Sequence, residues 1–148
     1  MSRTQKIKPF LWFNNNLEEA IAFYQEVFPE VQVHSVNPMS AEFSIFDQEF
    51  IGLNGGPNFS FTEAISFFIS CADQREIDYY WDALTKDGGS EGRCGWLKDK
   101  FGLSWQVVPA ELGTHLGNPD PEKSAYAMQA MMGMNKFIIA DLYSGDLE

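Results

Sequence analysis

Apolar residues run along the chain in short dense clusters, interrupted by stretches in which they recur at helical spacing. Residues 6–13, Lys-Ile-Lys-Pro-Phe-Leu-Trp-Phe, are short and aromatic-rich, which predicts a strand. Beyond three asparagines, Leu17, Ala20, Ile21, Tyr24 and Phe28 lie on one helical stripe. Asn16 is placed to cap that helix, with Glu19 at capping-box spacing, and Pro29 stops it. Three strand patterns follow at residues 31–36, 41–46 and 49–53, with Asn37-Pro38 and Asp47-Gln48 as the turns between them. Asn54-Gly55-Gly56-Pro57-Asn58 then breaks the pattern with a loop. One unit is therefore a strand, a helix and three strands.

The order repeats. Residues 65–71 form a second β-run, Asp73 and Glu76 cap a helix with Ile77, Tyr80, Trp81 and Leu84 on its apolar face, and Gly88-Gly89 ends it. Strand patterns at 92–97 and 103–108 are joined by the tight turn Asp99-Lys100-Phe101-Gly102, which leaves one further strand short or fused into this region. The two starts align without gaps: Phe10 with Phe67, Asn16 with Asp73, Glu19 with Glu76, Phe23 with Tyr80, Tyr24 with Trp81, all at one offset (67 − 10 = 57). Any two strand-to-helix junctions share capping chemistry, but an aromatic pair at the same offset favours duplication. After the repeat, residues 109–116 predict a helical turn, and Asp120 with Pro121 opens a helix. Ala125, Met128, Met131 and Met132 keep helical spacing within 124–134, and residues 136–143 predict a final short helix or strand. The expectation is one domain over 1–148: unit one about 6–57, unit two about 63–109, and a helical tail about 110–148.

Composition narrows the function. With 148 residues, 45% hydrophobic and 15% aromatic, the chain buries a core without disulfides or structural metal, which excludes disorder. Ten Lys and Arg against 21 Asp and Glu give a net charge of −11, so nucleic acid and anionic membrane surfaces are not expected partners. No apolar run approaches the roughly 20 residues of a membrane helix. The basic N-terminus lacks a following apolar stretch, so no signal peptide is expected. Cys71 and Cys94 form neither a disulfide framework nor a CxxC site. A cytoplasmic, soluble protein is expected.

Paired βαβββ units resemble the layout of the vicinal oxygen chelate superfamily, which holds glyoxalases, extradiol dioxygenases, and fosfomycin and bleomycin resistance proteins. The chain resembles one branch more closely, the PhnB-like proteins, often labelled after demethylubiquinone methyltransferase. The resemblance rests on residues 13–24, on Leu53-Asn54-Gly55-Gly56-Pro57, on residues 120–131, and above all on Cys94-Gly95-Trp96-Leu97-Lys98-Asp99-Lys100-Phe101-Gly102-Leu103-Ser104-Trp105-Gln106. It implies an α+β fold of tandem βαβββ units in a glyoxalase-like curled mixed sheet, with a C-terminal helical tail, and a homodimer. It also implies a divalent metal held by His, Glu or Gln from the first and last strand of each unit.

Carried over residue by residue, the histidine slots fall on Pro9 and Ser66. The last-strand slot of the second unit falls on Gln106, and that of the first on Glu49, or on Gly52 or Asn54 if the loops differ in length. Proline has no donor side chain and serine is a poor ligand, so no cofactor is expected. His34 reads as an exposed or core-edge histidine and His115 as a solvated one, both outside the slots. Neither glycine pair forms the turn of a methyl-donor site, which argues against the methyltransferase label. Cys94 reads as a small residue packed beneath an aromatic rather than a nucleophile.

What remains is a cleft. The resemblance implies that each unit's sheet curls into half of a barrel around it. Strand alternation puts Leu11 and Phe13 on the face of Pro9, Phe68 on the face of Ser66, and Ser104 with Gln106 on the matching face of the last strand. Together with Glu49, Asn54, Trp96 and the loop aromatics Phe59 and Phe61, these are the candidate binding residues for a small organic ligand. Metal-free binding is the expectation. The alternative is a lyase or dioxygenase-type enzyme whose divalent metal sits in a displaced site using Glu49 and Gln106.

Overall fold

The short aromatic run near the start forms β1 (Phe10–Phe13), and the stripe after it forms α1 (Leu17–Val27). The computed structural model describes residues 5–143; the ends of the 1–148 span, including the N-terminal residues 1–4, lie outside the described residues. The chain divides into two compact units, one through Phe61 and one from Thr62 onward.

In the first unit, β2 (Val31–Val36), β3 (Ser40–Ile45) and β4 (Gln48–Asn54) follow α1. The sheet order is β1-β4-β3-β2, with β1 parallel to β4 and the other pairs antiparallel. Alternation sends Leu11, Phe13, Ala41, Phe43 and Phe50 into the core with Leu17, Ala20 and Tyr24 of the helix. Gly52 shares that face, and a Cβ there would lie 2.4 Å from Leu17 Cδ1, so the first turn of α1 sits directly on β4. The helix cap differs from expectation. Asn16 makes no side-chain capping bond, because its backbone (φ −125°, ψ 30°) is not the extended conformation of an N-cap. Leu17 N–H donates instead to Asn54 Oδ1 at 2.9 Å, a cap delivered from the end of β4.

The second unit runs β5 (Phe67–Cys71), α2 (Gln74–Thr85), β6 (Ser90–Glu91), β7 (Trp96–Lys98) and β8 (Ser104–Pro109), in the order β5-β8-β7-β6. Here the expected cap forms: Asp73 accepts from Glu76 N–H at 2.9 Å, and Glu76 Oε1 accepts from Ala72 N–H at 2.7 Å. The strand left open by the sequence is the two-residue β6. β7 begins later than its pattern predicts, since Cys94 (φ 57°) and Gly95 (φ 85°) are left-handed and donate their N–H groups to Met134 and Asn135 of the tail. The tail comprises α3 (Leu112–Leu116), α4 (Pro121–Met132) and a 3₁₀ turn (Ile139–Leu142). Asp120 caps α4 through Glu122 N–H, and Phe137 packs on Gly95, where a Cβ would lie 2.7 Å from the ring.

The two units differ at one place that matters for function. Three residues, Asn14 to Asn16, join β1 to α1, with Asn15 left-handed at φ 59°. Two residues, Ala72 and Asp73, join β5 to α2. The helices keep the common offset while the strands are displaced by one residue, so Phe13 corresponds to Cys71 and Phe10 to Phe68. A shift of one residue turns every side chain to the opposite face.

Candidate functional site

In the first unit the face turned away from α1 carries Phe10, Trp12, Ser44, Glu49, Ile51 and Leu53. Trp12 donates its indole N–H to Gly56 O at 2.9 Å and meets Phe59 edge-on at 4.8 Å between ring centroids. Gly55 lies so close over the indole that a Cβ would come within 2.3 Å of it. Glu49 is paired with Lys8 at 3.3 Å. Leu11 and Phe13, expected on the open face, are core residues beneath α1, and that expectation is corrected. Phe61 packs edge-on to Phe13 at 5.3 Å, and Asn54 is committed to capping α1. Trp12 was missed. Its signal was the alternation, once the face is known.

In the second unit Leu97, Trp105, Val107 and Cys71 are buried on one face by register. Burial, and then the charge of Glu76 on α2, pushes the Cys71 thiol up to about 12, which marks this as the helix side. The opposite face brings together Ser66, Phe68, Trp96, Ser104 and Gln106, the five candidates drawn from this unit. Phe68 stands directly beside Gln106, and Trp96 pairs with Gln106 from the other neighbour. Gln106 Nε2 donates to Ser66 Oγ at 3.0 Å. Phe68 is 61% exposed, while Ser104 is 1% exposed and its hydroxyl has no hydrogen-bond partner among the described residues. Lys98 lies opposite Ser104 on the same face and is ion-paired with Glu63, a pair that spacing alone did not reveal.

The face positions also relocate the metal slots. Ser66 and Gln106 correspond to Lys8 and Ile51 by strand register, not to Pro9 and Glu49. Lysine, isoleucine, serine and glutamine are not a divalent-metal donor set. No group of three His, Cys, Asp or Glu that could hold a metal occurs among the described residues. The residues present do not fit the metal that such a fold implies. His34 is exposed and contacts Ser44 Oγ at 3.1 Å. His115 is not solvated as expected: its side chain is 11% exposed, bonded to Glu111 at 2.6 Å and edge-on to Tyr143. Cys94 donates its S–H to Met131 O at 3.4 Å, and the aromatic expected over it lies over Gly95.

The family described as 3-demethylubiquinone-9 3-methyltransferase matches residues 5–108. The chain belongs to this PhnB-like family. Among solved structures, the PhnB protein of Bacillus cereus is 30% identical over 72% of this chain and 100% of that one, with a TM-score of 0.65. A Pseudomonas aeruginosa protein is 20% identical over 72% of this chain and 98% of that one, at TM-score 0.58. The fosfomycin resistance protein FosX of Listeria monocytogenes, solved with Mn(II) and sulfate, is 16% identical over 78% of this chain and 98% of that one, at TM-score 0.57. These last two show the fold alone. No curated protein matches the chain. The PhnB-like chain thus has the glyoxalase-like α+β fold of the vicinal oxygen chelate superfamily, with α3 and α4 lying beyond the family match.

Proposed function

We propose that this PhnB-like protein binds a small organic molecule without a metal, on the open face of the second unit around Phe68, Trp96 and the Ser66–Gln106 pair. The observation that carries the reading is the largely exposed Phe68 ring beside Gln106, on a face that also holds Trp96 and the Ser66–Gln106 hydrogen bond. An exposed aromatic ring beside a few polar side chains is the makeup of a small-molecule site. The reading does not extend to methyl transfer: the turns from β1 to α1 and from β5 to α2 contain no glycine, so neither resembles the phosphate-cradling turn of a nucleotide site. It includes a cytoplasmic homodimer, supported by Tyr126, Met128 and Met132, which stand exposed on α4. No described helix is long and apolar enough to cross a membrane.

The test follows tryptophan fluorescence during titration with anilinonaphthalene sulfonate and a panel of aromatic amines, alcohols and carboxylates, beside titrations with Ni²⁺, Zn²⁺, Mn²⁺ and Fe²⁺. Saturable organic binding that weakens about tenfold or more in Phe68→Ala and Gln106→Ala is expected. Stoichiometric metal uptake that fails in Glu49→Ala would overturn the reading in favour of a displaced-metal enzyme. Organic binding indifferent to both face substitutions would overturn it as well.

A further inference from the structure

A pocket of about 620 Å³ opens beside the start of α2, and the tail supplies much of its wall. That volume is in the range of small-molecule sites. Ala72, Ile138 and Ile139 give it an apolar body, while Asp73, Gln74, Glu111 and Tyr143 supply its polar groups, and no Lys or Arg among the described residues lines it. The family match ends at residue 108, so Glu111 and every lining residue of the tail lie outside it.

The walls are fixed by specific bonds. The Gln74 side chain donates to Phe137 O at 2.8 Å and accepts from Ile139 N–H at 2.7 Å, bridging the tail as a strand would. Asp73 is held by Glu76 N–H, and Glu111 is oriented by His115 at 2.6 Å and the Tyr143 hydroxyl at 3.3 Å. We infer that this pocket binds a small organic cation, an amine carried on an apolar or aromatic body. Two carboxyl groups at an apolar cavity attract a cation more strongly than the same groups in open water. The Tyr143 ring adds a face suited to an ammonium group, and the net charge of −11 draws cations toward the protein. Neighbouring groups register the same field. Glu111 pushes the Tyr143 hydroxyl up, and Glu76 and Asp73 raise the Cys71 thiol beyond what burial does.

The test is an amide-resolved NMR titration of the full chain with benzylamine, benzyl alcohol and benzoate. Benzylamine is expected to bind about tenfold more tightly than benzyl alcohol, with shifts at Ala72, Ile138 and Ile139, and benzoate not at all. Glu111→Gln and Asp73→Asn, the second keeping a helix-capping acceptor, should each erase most of that preference. Ala140→Phe, which puts a ring into the cavity, should weaken all binding there. Equal binding of amine and alcohol, a preference unchanged in both charge variants, or shifts confined to the Phe68–Gln106 face would overturn the inference.

Discussion

Asp99 is buried at the turn between β7 and β8, and three donors converge on its carboxyl group. Oδ1 accepts from the N–H groups of Phe101 and Leu103 at 2.9 and 3.1 Å, and Oδ2 accepts from the Trp105 indole at 2.9 Å. Replacing it by alanine removes the acceptor shared by these three donors, which should cost about 3 kcal/mol and lower Tm by roughly 10 °C in a thermal melt. A change within a few degrees would show that the turn repacks. Cys71 makes a second residue-scale case. With its thiol held near 12, the thiolate fraction at pH 8 is on the order of one in ten thousand, so iodoacetamide should not label it in the folded protein. Labelling at the rate of an unfolded control would contradict its burial.

At the scale of elements, the helices and most strands were legible in the sequence because stripe, cap and turn residues agreed. Asp73, Asp120 and the Asp99–Gly102 turn behave as their chemistry predicts. Asn16 does not, because the acceptor for α1 comes from Asn54, far along the chain and invisible to local pattern. The tail's docking was equally hidden, since Gln74 in a helix first turn says nothing of the Phe137 carbonyl it meets. Gln74→Ala should raise the hydrogen-exchange rate of the Ile139 amide, with the rates of β8 unchanged; equal protection would remove Gln74 as the clamp. Lys136 and Asp78 pair at 2.8 Å beside it. The hydrogen bond from Lys136, then that from Gln74, holds Asp78 below the usual carboxylate value, and the bond to Asp78 holds Lys136 above the usual lysine value. Asp78's contribution is therefore present above its unfolded pKa and lost as pH falls through its folded one. Lys136's is present below its unfolded pKa and lost as pH rises through its folded one. Tail protection should stay level through neutral pH and fall at both extremes.

Across the whole molecule, the charge of −11 resists compaction through its own repulsion. Raising salt from low to physiological ionic strength should therefore raise Tm; a fall would mean that ion pairs such as Lys8–Glu49 outweigh the repulsion. In the second unit Phe68 and Ser104 were readable in advance, because alternation from Ser66 and Gln106 leads to them, while Trp96 joins that face through its register with Gln106. The first unit misled the same reasoning at Leu11 and Phe13, since the sequence does not announce that its strand and helix are joined by one more residue. Asn15, the extra left-handed residue, makes the two strands read in different frames. A length change of a single codon thus exchanges the inward and outward alphabets of a strand with no substitution at all. Anyone grafting imidazoles onto these sheets would have to write them at Ser66 and Gln106 in one unit but at Lys8 and Ile51 in the other; copied by the constant spacing of 57 to Pro9 and Glu49, the first would be aimed at α1 and the second would fall short of its place along β4.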